Sequence, residues 1–410
     1  MILVLNLGSS SLKFKVYSQD VKKCLCSGIY EKIGFKESKL RLVKENLSYS
    51  DSLYIPDHRS SICSMKKILI DKKLGVINDF SEITSIGHRV VHGGEYFKGA
   101  TLIDDFVIEK IKKLEILAPI HNSINLEGIL DCMLEFPNIP QVAVFDTSFF
   151  FDLPEKVKNY PIPSNLIKKY EIRKYGFHGI SHEYVYEKYK EISKNKNPKV
   201  ISCHLGNGSS ICAIKGGKAI DISMGFTPLD GVIMGTRSGS LDPAIVTYLI
   251  TKCGFCPNEI ESILNKKSGL LGVSEFSSDI RDLIKKNDKK CNLAIEMYCY
   301  SIVKYIGAYF VLLNGLDCLI FTGGIGENIP KIREKICRQL SCIGVFIDDL
   351  TNDEVINGDS VFISNKESKV DVFISKSDEE FSIAKQTCKY LDFFEKKCDD
   401  EKKVAIQISK

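Results

Sequence analysis

The sequence predicts a mixed α/β fold containing an internal repeat, on three observations. Apolar runs of strand length alternate with longer stretches of helical period. The opening MILVLNLGSSSLKFKV reads as a strand, a tight polar turn and a second strand. The segment VISCHLGNGSSICAIKGGKAID, in the second half of the chain, has the same plan, which suggests a duplicated domain facing a shared cleft.

Each element follows from local pattern. Ile2 to Leu5 is a continuous apolar run, as expected of a buried strand, and Leu12, Phe14 and Val16 alternate with Lys13, Lys15 and Tyr17. Ser9 to Ser11 therefore fall on the turn. Gln141–Phe145, Lys199–Ser202, Ile211–Ile214 and Cys318–Thr322 read as further strands, and Asp279–Lys286 and Ala294–Leu313 as helices. With 410 residues and 44% apolar content, the chain is expected to form two domains, with a boundary near Phe149–Tyr160.

Lys+Arg 56 against Asp+Glu 52 leaves a net charge of +4, too slight to argue for nucleic acid or an anionic membrane surface. No secretory signal pattern is visible, and Tyr305–Phe321, the most apolar window, is interrupted by Asn314, Gly315 and Asp317; a cytoplasmic protein without a membrane span is expected. The 15 cysteines are scattered, which fits reduced thiols better than a disulfide framework. Cys253 and Cys256 form a CxxC without a second pair, a weak basis for a zinc site.

The residue types that carry chemistry gather beside turns. His88 and His92 lie in GHRVVHGG, His121 in PIHNS, His178 and His182 in YGFHGISH, and His204 in HLGNGSS. Site histidines on loops would show this distribution, although each alone is more often structural. Three turns rich in glycine, at Gly8, at Gly206–Ser210 and at Gly323–Asn328, could each aim backbone N–H groups at an anion. A single such turn is more commonly just a turn, and none matches GxxxxGK[ST] or GxGxxG. Arg237 sits among Gly235, Thr236, Ser238 and Gly239, and Arg89 lies between His88 and Val90; each guanidinium could grip a carboxylate or a phosphoryl group in bidentate fashion, although a surface ion pair is the commoner fate of arginine. Asp146 ends a strand, either as a site residue at the carboxyl edge or as a cap on the next turn.

Taken together, NLGSSSLKF, GHRVVHGG, APIHN, FDTSFF, YGFHGISH, HLGNGSS, MGFTPLDG, GTRSGSLDP, FTGGIGEN and SDEEF resemble, in order and from end to end, the acetate kinase family within the acetate and sugar kinase, heat-shock chaperone and actin superfamily. The resemblance implies two duplicated ribonuclease H-like, actin-like ATPase domains around a central cleft. Residues 1–149 with 381–410 would form the N-terminal domain and 150–380 the nucleotide-binding and dimerisation domain. It also implies a homodimer and reversible transfer between ATP and acetate, giving acetyl phosphate and ADP, with magnesium or manganese as the cation. By the same resemblance Arg89 and Arg237 grip the carboxylate and the moving phosphoryl group, His178 donates to phosphoryl oxygens, Asn6 and Glu379 belong to the metal site, and Asp146 is the essential acid beside them. Ser9, Ser11 and Lys13 fall at the first phosphate hairpin. His204, Leu205, Gly206, Asn207 and Gly208, with Gly324, Ile325, Gly326, Glu327 and Asn328, resemble the turns that hold the nucleotide, and Asp279, Ile280 and Arg281 the adenosine pocket. Val91, Ile120, Phe177 and Pro228 align with the small apolar pocket for the acetate methyl group.

Acetate is already ionised near neutral pH, so no general base is needed, and Asp146 is better employed orienting the cation or its waters. The methyl pocket would discriminate one methylene by only about 1 to 3 kcal/mol, making propionate a poorer substrate, not an excluded one. Leu7 and Ser240 depart from the family's usual residues and bear on fine substrate preference. The charged segment after Phe394 lies outside every motif and is expected to be a solvated extension. A propionate or butyrate kinase of the same fold is the nearest alternative; a chaperone or filament protein would lack the paired arginines.

Overall fold

The computed structural model describes residues 1–355 and 360–408, the side chains of residues 120 and 395–408 excepted. The chain divides into two compact units, Met1–Ser148 with Asp378–Lys410, and Phe149–Ser377.

The first unit is built on an eight-stranded sheet. Its strands are β1 (Ile2–Gly8), β2 (Ser11–Tyr17), β3 (Cys24–Glu31), β4 (Ser38–Lys44), β5 (Leu47–Leu53), β6 (Ser85–Val90), β7 (Thr101–Leu102) and β8 (Gln141–Phe145), in the order β5-β4-β3-β2-β1-β6-β8-β7. Strands β1 to β5 form successive antiparallel hairpins, whereas β1, β6 and β8 run parallel. The register pairs Ile2 with Tyr17 and Gly8 with Ser11, leaving Ser9 and Ser10 as the turn. β1 is buried almost throughout, which explains its unbroken apolar run. The helix Glu379–Ile408 returns to lie against β1, β6 and β8. It comes so close to Gly87 that a Cβ there would stand 2.5 Å from Thr387 Oγ1.

The second unit has a six-stranded sheet made of β9 (Lys199–Leu205), β10 (Ser209–Lys215), β11 (Lys218–Ile222), β12 (Cys318–Thr322), β13 (Val361–Phe362) and β14 (Asp371–Ile374), in the order β11-β10-β9-β12-β14-β13. Strands β9 to β11 are antiparallel neighbours and β9, β12 and β14 are parallel. The run β11-β10-β9-β12-β14 thus repeats β3-β2-β1-β6-β8 in both order and direction, so the echo between the two hairpins is a duplication of a ribonuclease H-like core. The helix Lys289–Leu313 buries Tyr298, Ile302, Ile306 and Tyr309 in the core of this unit.

Two sequence expectations are refined. The helix expected from Ala294 begins at Lys289, because Asp288 caps it by accepting from Cys291 N, a polar start without apolar periodicity. FTGGIGEN is not an open turn but a short helix, Gly323–Asn328, entered through Gly323 at φ 76°. Among the described residues no helix is long and apolar enough to cross a membrane. Cys253 and Cys256 are exposed free thiols.

Candidate active site

In the first unit the parallel strands deliver charged groups to one sheet edge. Arg89, next to last in β6, donates through Nη2 to Asp146 Oδ2 over 2.5 Å, and its Nε lies 3.7 Å from Glu379 Oε2. Burial opposes the guanidinium charge, but the Asp146 and Glu379 carboxylates outweigh it and hold the group more firmly protonated than usual. Asp146 is 1% exposed and follows β8 at its carboxyl end; its Oδ1 has no hydrogen-bond partner among the described residues. No group of three or more His, Cys, Asp and Glu side chains able to hold a metal occurs among the described residues. A magnesium ion asks for less, since it commonly takes one or two carboxylates and completes its shell with water and phosphate. An unused buried carboxylate oxygen near a second carboxylate fits that demand.

Asn6 and Lys15 project on the same face of the β1–β2 hairpin. Asn6 Nδ2 donates to Glu380 Oε1 at 3.1 Å, while Lys15 Nζ lies 2.7 Å from Asp378 and 3.5 Å from Glu380. Thus Glu379 meets Arg89 and its neighbours Asp378 and Glu380 meet the hairpin, an arrangement that gives SDEEF a structural job along with any chemical one. Ser9 and Lys13 are exposed, and Ser11 is half-buried. The segment after β6 is braced by two asparagines of the helix Pro119–Glu135: Asn125 accepts from Val91 N at 3.1 Å, and Asn122 both accepts from His92 N and donates to His92 O. Val91 is buried here; the side chain of Ile120 lies outside the described residues.

The second unit gathers a different set. His178 is the N-cap of the helix Gly179–Ile192 and is held at φ 60°, ψ 26°, left-handed backbone that a residue with a Cβ avoids unless its surroundings impose it. Its Nδ1 lies 2.9 Å from Ser210 Oγ, and its ring is 4.2 Å from that of His204. Arg237 donates through Nη1 to Pro228 O at 3.2 Å and faces no carboxylate within 4 Å among the described residues. Burial accordingly lowers its proton affinity. Both groups border the turn between β9 and β10: a Cβ placed on Gly208 would stand 3.4 Å from Arg237 Nη1 and 3.4 Å from His178 Cε1. Phe177, immediately before His178, is buried.

Beside the same turn opens a cavity of about 590 Å³, a size suited to a nucleotide. It is lined by Gly206, Asn207, Asp279, Ile280, Arg281, Gly324, Ile325 and Asn328 from the expected set, and by Ser278 and Ile329, which the motifs did not single out. Arg281 is fixed by a two-point pairing with Asp279. The remaining nucleotide candidates do not line it. Strand alternation buries Leu205, Gly326 packs against Phe321, and His204 pairs with Ser181 at 2.8 Å. Glu327 Oε1 accepts from Gly323 N and Ser377 N, both at 2.9 Å. Arg333, fully buried, binds the carbonyls of Gly326, Glu327, Asn352 and Val355 and so anchors this wall.

The chain matches the acetokinase family over residues 1–385. It is 46% identical over 392 residues to the acetate kinase of Thermotoga maritima, covering 94% of this chain and 97% of that one, and 48% identical over 395 residues to that of Thermosipho africanus, with the same coverage. Among solved structures, Porphyromonas gingivalis acetate kinase aligns with a TM-score of 0.87 at 42% identity, over 95% of this chain and 99% of that one. A propionate kinase from Francisella tularensis aligns equally well, with a TM-score of 0.87 at 42% identity, over 94% and 98%.

Proposed function

The chain belongs to the acetokinase family, and from that premise we propose that it transfers a phosphoryl group reversibly between ATP and acetate, giving acetyl phosphate and ADP, with magnesium as the cation. The observation that carries this reading is Arg237, a partly buried guanidinium with no carboxylate in reach among the described residues, set beside His178 and the Gly206–Gly208 turn. A cation left unpaired in this way is suited to an anionic ligand.

Magnesium, when bound, would neutralise charge on the phosphates. Asp146 through Oδ1 and Glu379 would hold it or its waters, with Asn6 beside them. Ser9, Ser11, Lys13 and the Gly206–Gly208 turn supply donors for phosphate oxygens, and the cavity by Asp279, Ile280 and Arg281 takes the adenosine. Arg89 and Arg237 orient the carboxylate and the phosphoryl group, and His178 donates a hydrogen bond to oxygens whose charge grows during transfer. Because acetate arrives ionised, catalysis here rests on positioning and charge neutralisation.

Val91, Phe177 and Pro228, with Ile120, are assigned to the methyl pocket. The structural likeness to a propionate kinase is compatible with activity on that acid as a second reading. A homodimer is supported by the helix Pro243–Cys253, which buries none of its residues and exposes Ile245 and Tyr248; sedimentation velocity tests it. An ATP-dependent reaction accords with a cytoplasmic location. The assay is acyl phosphate trapped with hydroxylamine from ATP, magnesium and acetate, propionate or butyrate in parallel. The largest product should come from acetate; a preference for a longer acid would rename the substrate, and no product from any would overturn the reading.

A further inference from the structure

Behind His178 lies a polar chain buried inside the second unit. His178 and His182 stand four residues apart, at the start and on the first turn of the helix Gly179–Ile192, so they share a face. Ser202 and His204 alternate along β9, and Ser210 on β10 stands directly opposite His204. The helix face and the strand pair meet through hydrogen bonds. Ser202 Oγ lies 2.9 Å from His182 Nδ1, His182 Nε2 lies 2.8 Å from Ser210 Oγ, and Ser210 Oγ lies 2.9 Å from His178 Nδ1. Ser202, His182 and Ser210 are all 0% exposed.

Burial makes this chain directional. A buried hydroxyl must donate its proton, and among the described residues the Ser202 hydroxyl has one partner, His182 Nδ1. That nitrogen is therefore an acceptor. Burial, reinforced by nearby His204, keeps His182 from taking up a second proton, so its single N–H is at Nε2 and points to Ser210 Oγ. With its lone pair engaged there, Ser210 has only His178 Nδ1 left as a recipient for its own proton. His178 must then carry its hydrogen on Nε2, the atom that would stand 3.5 Å from a Cβ on Gly208, beside Arg237.

We propose that Ser202, His182 and Ser210 form a one-way hydrogen-bond chain that fixes His178 as the Nε2–H tautomer, with Ser210 as the positioning residue for the donor that meets the phosphoryl group. The assignment rests on the role given to His178 above. It explains why two serines and a second histidine are sealed in the core behind that residue: a neutral imidazole can adopt either tautomer, and only one presents a donor toward the Gly206–Gly208 turn. Reversing the chain would leave the Ser202 proton without an acceptor, so the core itself selects the form that binds.

The test is nitrogen-15 NMR of the full-length enzyme labelled at histidine, with the His178 signals identified by their loss in His178→Asn. In the unmodified enzyme near neutral pH, His178 should show a protonated Nε2 and an acceptor Nδ1. Ser210→Ala should replace this with a mixed pattern and lower kcat about tenfold while KM for acetate changes less than about twofold, the signature of an interaction used in the transition state. Ser202→Ala, two hydrogen bonds farther back, should shift the same signals in the same direction. A protonated Nδ1 on His178 in the unmodified enzyme overturns the proposal, as does an unchanged tautomer in both serine variants. The first of these readings needs no variant, so it survives a misfolded Ser210→Ala. An enzyme that shows the Nε2–H pattern but forms no acyl phosphate would overturn the assigned reaction and leave the chain intact.

Discussion

Arg89 and the buried Asp146 form a partly buried ion pair that uses half of the carboxylate: Arg89 Nη2 reaches Asp146 Oδ2 at 2.5 Å, while Oδ1 bonds nothing among the described residues. The pairing secures the arginine and leaves one oxygen unused, the one assigned above to the proposed cation. Asp146→Asn keeps the shape but removes the charge. It is expected to lower turnover by at least about a hundredfold and to raise the magnesium concentration needed for half-maximal rate. It should also cost about 1 to 3 kcal/mol in urea unfolding, since Arg89 stays buried with Glu379 as its remaining carboxylate. A magnesium titration that does not move would remove Asp146 from the cation site.

Arg237 predicts the opposite balance. Its guanidinium is desolvated and has no carboxylate partner to lose. Arg237→Met retains the apolar stem, so the unfolding free energy from urea titration should stay within about 1 kcal/mol of the parent, while turnover falls by about a thousandfold. Near-normal turnover in this variant or in Arg237→Ala would exclude the residue from the site.

Gly208 separates Arg237 from His178, and a methyl group there would stand 3.4 Å from both. Its backbone is not in the left-handed region, so alanine brings crowding without backbone strain. Gly208→Ala should lower kcat by about tenfold to a hundredfold through displacement of the two donors. The melting temperature should move by less than about 3 °C. A variant that loses stability and keeps its rate would show that the turn serves folding only.

Stability should fall on mild acidification. His88, which meets Gln141 Oε1 at 2.7 Å, and His92 are buried, and burial pulls each down to about 4 from an ordinary value near 6.5. Below pH 6.5 the unfolded chain takes up protons that the native chain refuses, so stability is complete above that value and declines as pH falls toward 4. The two histidines together should cost several kcal/mol across that window. Urea titrations at pH 7.5, 6 and 5 measure the slope, and His88→Gln should flatten it. An identical slope in the variant would rule out His88 as a contributor.

The duplicated architecture was legible because it is written locally. Unbroken apolar runs mark strands buried on both faces, alternation marks β2, and the Gly, Ser and Asn clusters mark the hairpins, so the echo of the first hairpin in Val200–Asp221 pointed to a repeated core. The glycine-rich turns assigned to the nucleotide were legible for the same reason, but which of their members line the cavity was not. Leu205 and Glu327 sit within the motifs, yet one faces the core and the other braces Gly323 and Ser377. The Asp288 cap was missed because a cap depends on one hydrogen bond and leaves no periodicity.

By itself, then, the sequence determined the elements, their duplication and the residue types available for phosphoryl transfer, since periodicity and turn chemistry are short-range properties of the chain. Tertiary structure alone decided that Asp146 spends one oxygen on Arg89 and keeps the other, that Glu379 faces Arg89 while Asp378 and Glu380 serve the hairpin, and that Ser202 orders the proton on a histidine it never touches. These outcomes depend on which polar groups lose water together. Only the packing of distant segments fixes that, and burial then obliges each donor and acceptor to find its partner.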